Sequence, residues 1–397
     1  MSNKRLSVLY ITFNTFIISG VALFTPILYI FLVKLGYSYT EVGVYLSVFW
    51  GAAALSELPS GILADTIGQK KIVMLSCVLR AVGLAMLITD NFVLLMLSGL
   101  ITGIAEAMLS GSLSSWYMNQ LEDKSTVSLD RVFSRVAFFG ALFSLCIGFV
   151  SAQFLFKVYL FLPVMISVLF FVVLAIVIYF VLPERKLNIR SNELTAGFEK
   201  VEQSWMQNAR NIWVLFRSNN VLFVVLLLLI APTILDIGPS NQWQVAFSDE
   251  IGFLWIGISV MGILTNLAIP KIPKIGSGLQ EIIFYMVLDI PIIVLITFSK
   301  LSIVFFMLHI IIFTIMSIKI SVYMHQHLVK DDALRSSFVS TFYTLESLIS
   351  MTLLPLNGLI SEIHHMFYAW NVFVIISIVL SMAYILILVR KQYLLIK

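Results

Sequence analysis

Gly-Ile-Leu-Ala-Asp-Thr-Ile-Gly-Gln-Lys-Lys, residues 61–71, joins two long apolar segments. Gly61 allows the helix that ends there to approach a neighbouring helix closely, and Gly68 permits the positive φ of a tight turn. Asp65 can accept hydrogen bonds from the free N–H groups of a helix N-terminus, where the helix dipole favours an anion. Two basic residues follow and mark the cytoplasmic face of a membrane: Lys70 and Lys71. This stretch predicts a short basic turn between two membrane helices.

The composition is that of a membrane protein. Of 397 residues, 60% are hydrophobic and only 12% are charged, and the mean hydropathy is +1.01. A soluble chain of this length needs far more polar surface. Apolar runs of about twenty residues, each long enough to cross a bilayer core, recur from end to end, without the alternation of barrel strands. We therefore predict an all-α membrane protein, and the net charge of +4 does not indicate nucleic-acid binding.

Twelve apolar segments are predicted to span the membrane. Their approximate ranges are 6–33, 40–64, 70–89, 92–118, 130–154, 159–182, 220–247, 251–269, 279–299, 301–326, 332–358 and 366–389. An even number of spans places both termini on one side. The positive-inside rule identifies that side as cytoplasmic, because few of the 25 Lys and Arg residues fall in the loops assigned to the other side, namely Lys34, Lys157 and Lys300.

The predicted spans form two bundles of six helices. Residues 1–182 make the first, 220–397 the second, and 183–219 a polar cytoplasmic linker with an amphipathic helix. The halves look related, because Gly-Ile-Leu occurs at residues 61–63 and again at 262–264, each time at the end of the second span of its half. Two pseudo-symmetric bundles suit a transporter whose halves rock about a central site.

Two six-helix halves, a long inner linker and Gly-x-x-x-Asp-x-x-Gly-x-Lys-Lys after the second span resemble the major facilitator superfamily. Glu57-Leu-Pro-Ser-Gly61 and Ser110-Gly-Ser-Leu-Ser-Ser-Trp-Tyr117 are similar to stretches in its bacterial drug and small-molecule exporters. The resemblance implies transport by alternating access. It also implies an inner gate, to which we assign Glu57, Gly61, Asp65, Gly68, Lys70 and Lys71. Thr66 and Gln69 depart from the basic residues usual at those positions of the motif.

Ionisable residues inside the predicted spans are candidate site residues, because each costs about 2.5–3.5 kcal/mol to insert at mid-bilayer. Seven are found: Glu57, Arg80, Glu106, Asp236, Asp289, Lys319 and Glu346. With five acidic and two basic groups, at least three carboxylates are expected to lack a basic partner inside the spans. Such carboxylates suit a proton carrier or a contact for a cationic substrate.

The position of each ionisable residue along its span indicates which of them can meet. Arg80 and Glu106 are both near mid-span and are expected to meet, as a site or as a plain ion pair. Asp236 follows the helix-loosening Pro232 and is the favoured functional carboxylate. Glu346 is placed in the same substrate or proton site. Asp289, also a candidate for that site, is expected to pair with Lys319 and brace two helices.

Other residues point to weaker sites. Gln242 and Trp243, near the end of the seventh span, could contact a ligand or anchor at the interface. The pairs His325/His327 and His364/His365 lack further metal ligands and are interpreted as loop histidines. No Walker A, Gly-x-Ser-x-Gly or His-Glu-x-x-His motif occurs. We therefore predict no metal, no cofactor and no enzymatic activity.

The sequence predicts a secondary transporter in the cell membrane, with both termini cytoplasmic and a monomer as the default. Our first hypothesis is efflux of small amphipathic or hydrophobic compounds, driven by protons that bind Asp236, Glu106 or Glu346. The alternative is uptake of a nutrient or a metal chelate by the same fold. A membrane sensor or intramembrane enzyme is a third class, which the absence of a recognisable catalytic set disfavours.

Overall fold

The structure is a computed structural model that describes residues 2–121, 128–183, 220–324 and 332–390, together with residues 210, 214 and 217. The side chains of Leu58, Asp65, Asn220 and Leu222 and of residues 332–341 lie outside this description. The amphipathic helix predicted in the linker, His325 and His327 also lie outside it.

The described residues form fifteen α-helices and contain no strand. In chain order the helices are α1 (Asn3–Ala22), α2 (Leu28–Lys34), α3 (Tyr39–Ile67), α4 (Gln69–Met86), α5 (Phe92–Leu109), α6 (Ser112–Gln120), α7 (Leu129–Val150), α8 (Phe156–Val158), α9 (Leu162–Val181), α10 (Asn220–Ala246), α11 (Ile251–Ala268), α12 (Gly278–Phe298), α13 (Ser302–Tyr323), α14 (Asp332–Ile363) and α15 (Met366–Arg390).

Three pairs of consecutive helices each form one membrane crossing. The pairs α1–α2, α5–α6 and α7–α8 form the continuous spans Asn3–Lys34, Phe92–Gln120 and Leu129–Val158. Counted in this way, the described helices make twelve transmembrane helices in the predicted order. Nine of them, within the described residues, are long and apolar enough to cross a membrane by length and composition; the others are α3, α4 and α14. The predicted all-α membrane fold is confirmed.

Local sequence explains several helix ends. The Asn91 side chain caps α5 by accepting from its first free N–H groups, at 2.9 and 3.2 Å. Ser277 and Gln280 form a capping box at the start of α12. Between α3 and α4 the chain turns at Gly68, whose φ of 101° is the positive value predicted for that glycine.

Gly61, predicted to allow close helix packing, has no close neighbour among the described residues. Helix α3 runs through Gly61 to Ile67, and a Cβ built on Gly61 would meet no heavy atom of the described residues within 4 Å. Close approach occurs instead at Gly103 of α5, where a Cβ would lie 2.3 Å from the backbone oxygen of Phe49 in α3. Which glycine faces a neighbour depends on the rotation of each helix about its axis, and a motif does not report that rotation.

The chain divides into two compact units. Unit 1 comprises residues 1–37, 45–203 and 249–256. In it α4 packs against α5 and α9, and α1 packs against α7. The ring of Tyr10 in α1 stacks on Tyr117 in α6 at a centroid distance of 4.6 Å, and the Tyr117 hydroxyl hydrogen-bonds with Ser7 at 2.7 Å. Apolar packing with a few satisfied polar groups holds this unit together.

Unit 2 comprises residues 38–44, 204–248 and 257–397. In it α10 packs against α15, and α12 packs against α13. A cluster of buried apolar side chains joins these helices, including Val225, Leu229, Ile282, Ile320 and Leu388. The same four helices also carry most of the buried polar groups of this unit, so its core positions the site described below.

Gly103→Ala is expected to destabilise the protein. The added methyl would collide with the Phe49 carbonyl of α3, which is backbone and cannot move aside, and overpacking of this kind costs about 1–3 kcal/mol. Gly61→Ala is the matched control, because its methyl would meet no heavy atom of the described residues within 4 Å and alanine favours a helix by up to about 1 kcal/mol. Thermal unfolding in detergent should show a lower midpoint for Gly103→Ala alone, and equal midpoints would contradict this packing.

Candidate functional site

A buried imidazole between two carboxylates forms the candidate site of unit 2. His309 of α13 places Nδ1 at 3.0 and 2.9 Å from the two carboxylate oxygens of Asp289 in α12. Its Nε2 lies 2.9 Å from Oδ1 of Asp236 in α10. We call these three residues the His309 cluster. Three different helices therefore bring one base and two acids into direct contact.

Burial within the His309 cluster is uneven. The side chains of His309 and Asp289 are 0% exposed, whereas that of Asp236 is 11% exposed. The rings of Phe306 and Phe313, one turn away on α13, lie beside the imidazole. A charge in such a setting is unfavourable unless it is paired. Of the two acids, Asp289 is fully enclosed by protein, and Asp236 is the one with some exposed surface.

The predicted pair between Asp289 and Lys319 is wrong. Lys319 Nζ lies 2.8 Å from Oε1 of Glu281, which is in the first turn of α12. Asp289 is two turns further along α12 and faces His309 instead. The expectation that at least three of the five carboxylates in the spans lack a basic partner also fails. Within the described residues, His309 contacts two of the five and an arginine pairs with a third.

Two residues of these contacts were missed in the sequence: His309 and Glu281. His309 is in the middle of an apolar segment, where any ionisable side chain is a candidate functional group. Histidine is ionisable like lysine and arginine, so its position inside the span is the signal that identifies it. Glu281 was assigned to the start of a span, and its sequence position alone does not reveal that it is buried.

Glu346 of α14 contacts the same face of α10 as the His309 cluster. The Thr233 hydroxyl donates to Glu346 Oε1 at 2.6 Å. Thr233 and Asp236 are three residues apart on α10 and so lie on one side of that helix. In the described residues no basic side chain pairs with Glu346.

In unit 1, Arg80 of α4 forms an ion pair with Glu106 of α5, so the two residues meet as predicted. The Arg80 side chain is 2% exposed and that of Glu106 is 44% exposed. The guanidinium also lies over the ring of Phe171 at 5.7 Å from its centroid. Arg80 Nε is buried and has no hydrogen-bond partner among the described residues. The pair therefore joins a deeply buried cation to a partly accessible anion.

The residues assigned to the inner gate cluster near the α3–α4 turn. Ser110 donates to Glu57 Oε1 at 3.0 Å, which ties α3 to the end of α5. Lys70 Nζ lies over the ring of Tyr179 in α9, 5.6 Å from its centroid, and Lys71 is exposed. The side chain of Asp65 is outside the described residues, so its predicted role rests on the sequence.

Gln242 and Trp243 are buried, and the ligand contact considered for them is not available in this structure. Gln242 is 0% exposed, accepts from Trp370 Nε1 at 2.8 Å and donates to Ser361 Oγ at 2.8 Å. Trp243 stacks on Phe306 at a centroid distance of 6.4 Å. Both side chains join helices of unit 2.

In the part of the chain that the structure describes, no set of three or more His, Cys, Asp or Glu side chains is arranged to hold a metal ion, and in the His309 cluster both ring nitrogens face carboxylate oxygens. His364 packs against Tyr368, and the backbone oxygen of His365 accepts from the N–H groups of Tyr368 and Ala369. Glu362, which the sequence places beside them, accepts from the Thr40 hydroxyl.

Twelve helices of this length and composition, with ionisable groups placed within them, define a multi-pass helical membrane protein. The model of the Major Facilitator Superfamily matches residues 10–328, which is most of the chain. The chain therefore belongs to the Major Facilitator Superfamily and is a transporter, and the resemblance found in the sequence is confirmed. Membership implies a small-molecule substrate.

The chain is also similar to one named protein in part of its sequence and to two solved structures in its fold. The quinolone resistance protein NorA of Staphylococcus aureus is 34% identical over 108 residues, which are 27% of this chain and 27% of NorA. The nucleoside transporter NupG has the same fold, with a TM-score of 0.74 and 17% identity over 96% of this chain and 98% of NupG. A POT family transporter in complex with 5-aminolevulinic acid has a TM-score of 0.70 and 13% identity over 98% of this chain and 96% of its own.

Proposed function

We propose that this transporter exports small amphipathic or hydrophobic compounds in exchange for protons. The observation that carries the proposal is the His309 cluster, in which a buried imidazole contacts two carboxylates and only Asp236 is partly exposed. A group that binds and releases a proton inside the membrane is what proton coupling needs. Asp236 is the proton carrier in this proposal, and His309 is its partner.

The other carboxylates divide between two tasks. Glu106 is paired with Arg80, and arginine stays protonated in proteins, so we do not assign the exchanged proton to Glu106. Its exposed side suits contact with the charged end of a cationic compound. Glu346 accepts from the Thr233 hydroxyl and can likewise receive a cation or a proton. We therefore assign Glu106 and Glu346 to substrate contact.

The direction of transport and the class of substrate rest on a partial likeness. NorA is named for quinolone resistance, and 34% identity over 27% of its length is the support for drug efflux here. We further propose that residues 1–182 and 220–397 act as the two halves of a monomer in the cell membrane. Both termini are placed in the cytoplasm because the basic residues concentrate in the loops of that side.

The test uses ethidium, a fluorescent organic cation, and membrane vesicles from cells with and without the protein. In inside-out vesicles with an acidic lumen, protein-dependent accumulation of the dye is expected, because each proton leaving the lumen drives dye inward. Collapse of the proton gradient should abolish the accumulation. Gradient-driven accumulation in right-side-out vesicles alone would instead support uptake, and accumulation unaffected by the gradient would exclude proton coupling.

Asp65→Asn is expected to slow transport while the protein remains in the membrane. The amide keeps the size of the side chain but removes the negative charge proposed to meet a helix N-terminus when the inner side closes. Asp90→Asn is the control, because Asp90 is exposed between α4 and α5. Dye accumulation is measured at matched protein levels, and an unchanged rate for Asp65→Asn would remove this residue from the gate.

A further inference from the structure

We propose that Asp289 is a positioning residue that keeps His309 doubly protonated, so that Asp236 alone takes up and releases the exchanged proton. The inference deepens the proposed function and rests on it for its meaning in transport. The charge state of His309 can nevertheless be measured without transport. This role differs from the one predicted from the sequence, in which Asp289 pairs with Lys319.

The geometry limits where protons can be. Asp289 presents both carboxylate oxygens to Nδ1 at 3.0 and 2.9 Å, and Asp236 presents one oxygen to Nε2 at 2.9 Å. An ionised carboxylate only accepts hydrogen bonds, so each ring nitrogen must donate when both acids are ionised. An imidazole that donates from both nitrogens carries a positive charge. The two carboxylates then leave the cluster with a single net negative charge.

One further proton makes the cluster neutral, and the burial pattern shows where it binds. Asp289 is 0% exposed and uses both oxygens on Nδ1, whereas Asp236 is 11% exposed. We therefore assign proton exchange with water to Asp236, the less enclosed of the two acids. In the transport step the Asp236 carboxyl releases its proton to water and becomes a carboxylate, and both imidazole protons stay in place.

No other charged group of the described residues contacts the imidazole. From α10 it faces Asp236 and from α12 it faces Asp289. Among the described side chains of the neighbouring helices, Glu281 is paired with Lys319 and Glu346 accepts from Thr233. The charge balance of the cluster is consequently set by these two acids, of which Asp289 holds Nδ1 with both oxygens and is the more enclosed.

Asp289→Asn changes this balance in a direction that can be worked out. The amide no longer neutralises a charged imidazole, so the ring and Asp236 share one exchangeable proton between them. Release of that proton leaves a neutral imidazole beside an ionised Asp236 and breaks an ion pair, whereas release in the native cluster completes one. Because free imidazole also binds a proton more tightly than a free carboxylate, the altered cluster should release its proton at higher pH.

The first measurement is the nitrogen chemical shift of His309 in protein labelled with ¹⁵N-histidine, in detergent. The chain has five histidines, and His309→Gln identifies the His309 signal by its loss. We expect a charged imidazole throughout about pH 5 to 8 in the native protein and a titrating one in Asp289→Asn. A neutral His309 in the native protein would overturn the inference without recourse to any variant.

The second measurement is the pH profile of dye transport. Asp289→Asn should shift the profile upward by about one pH unit or more, and Asp289→Glu, which restores the charge, should return it toward the native position. The exposed Asp249→Asn is the control and should not shift it. A lower rate with an unshifted profile would mean that Asp289 is only a brace. If the native protein moves no dye but the nitrogen shifts behave as expected, the proposed function fails while the charge role of Asp289 stands.

Discussion

Asp236→Asn is expected to reduce gradient-driven dye accumulation to the level of vesicles that lack the protein. The substitution keeps the shape of the side chain and can still hydrogen-bond with His309, but it removes the only partly exposed acid of the His309 cluster. The cluster of this variant keeps one carboxylate, that of Asp289, which is fully buried and held on Nδ1. No group that water can reach is then left to exchange the proton.

The variant separates coupling from substrate binding. Exchange of labelled dye across the membrane without a gradient requires the substrate site and the conformational change but no net proton movement. We therefore expect Asp236→Asn to retain exchange while it loses gradient-driven accumulation. Asp249→Asn, the same chemical change at an exposed position, should retain both activities. Undiminished accumulation by Asp236→Asn would show that the proton binds elsewhere, and loss of both activities would place Asp236 in the substrate site.

Glu106→Gln is expected to destabilise the protein more than Arg80→Met, although each removes one member of the same ion pair. Glu106→Gln leaves the guanidinium of Arg80, 2% exposed, without an anion. An uncompensated buried charge costs about 3–5 kcal/mol, and Arg80 cannot escape by losing a proton. Its Nε already lacks a partner among the described residues. Arg80→Met leaves a carboxylate that is 44% exposed and that, unlike arginine, can become neutral by taking up a proton.

Thermal unfolding in detergent, together with the monodisperse fraction after purification, tests this order. We expect the lowest unfolding midpoint for Glu106→Gln, a higher one for Arg80→Met, and partial recovery in the double variant, where no unpaired charge is buried. Glu57→Gln is the control, because Glu57 is an exposed carboxylate of the same unit that accepts a hydrogen bond from Ser110. A reversed order of the two single variants would show that Arg80 is more accessible than the structure has it.

The candidate site was only partly predictable from the sequence. Arg80 and Glu106 were expected to meet, because two opposite charges at equal depth in consecutive antiparallel spans have few other partners. Asp289 was assigned to the wrong base because His309 was not counted among the ionisable groups of its span. Lys319 is ten residues, or about 15 Å, further along the same helix and lies at a different depth. Gln242 shows the same limit, because a polar side chain near a span end looks the same in sequence whether it faces a ligand or, as here, Trp370 and Ser361.

The sequence by itself determined the membrane class, the order and approximate ends of the twelve helices, and the turn at Gly68. These properties depend on hydropathy, on loop charge and on the local backbone freedom of glycine. Each is a property of individual residues and needs no knowledge of tertiary contacts. Only the tertiary structure decided which faces of those helices meet. It placed His309 between Asp236 and Asp289, joined Lys319 to Glu281, and put the close helix contact at Gly103 rather than Gly61. In a segment that is apolar on nearly every side, the hydrophobic pattern carries little information about rotation, so packing between helices makes that choice.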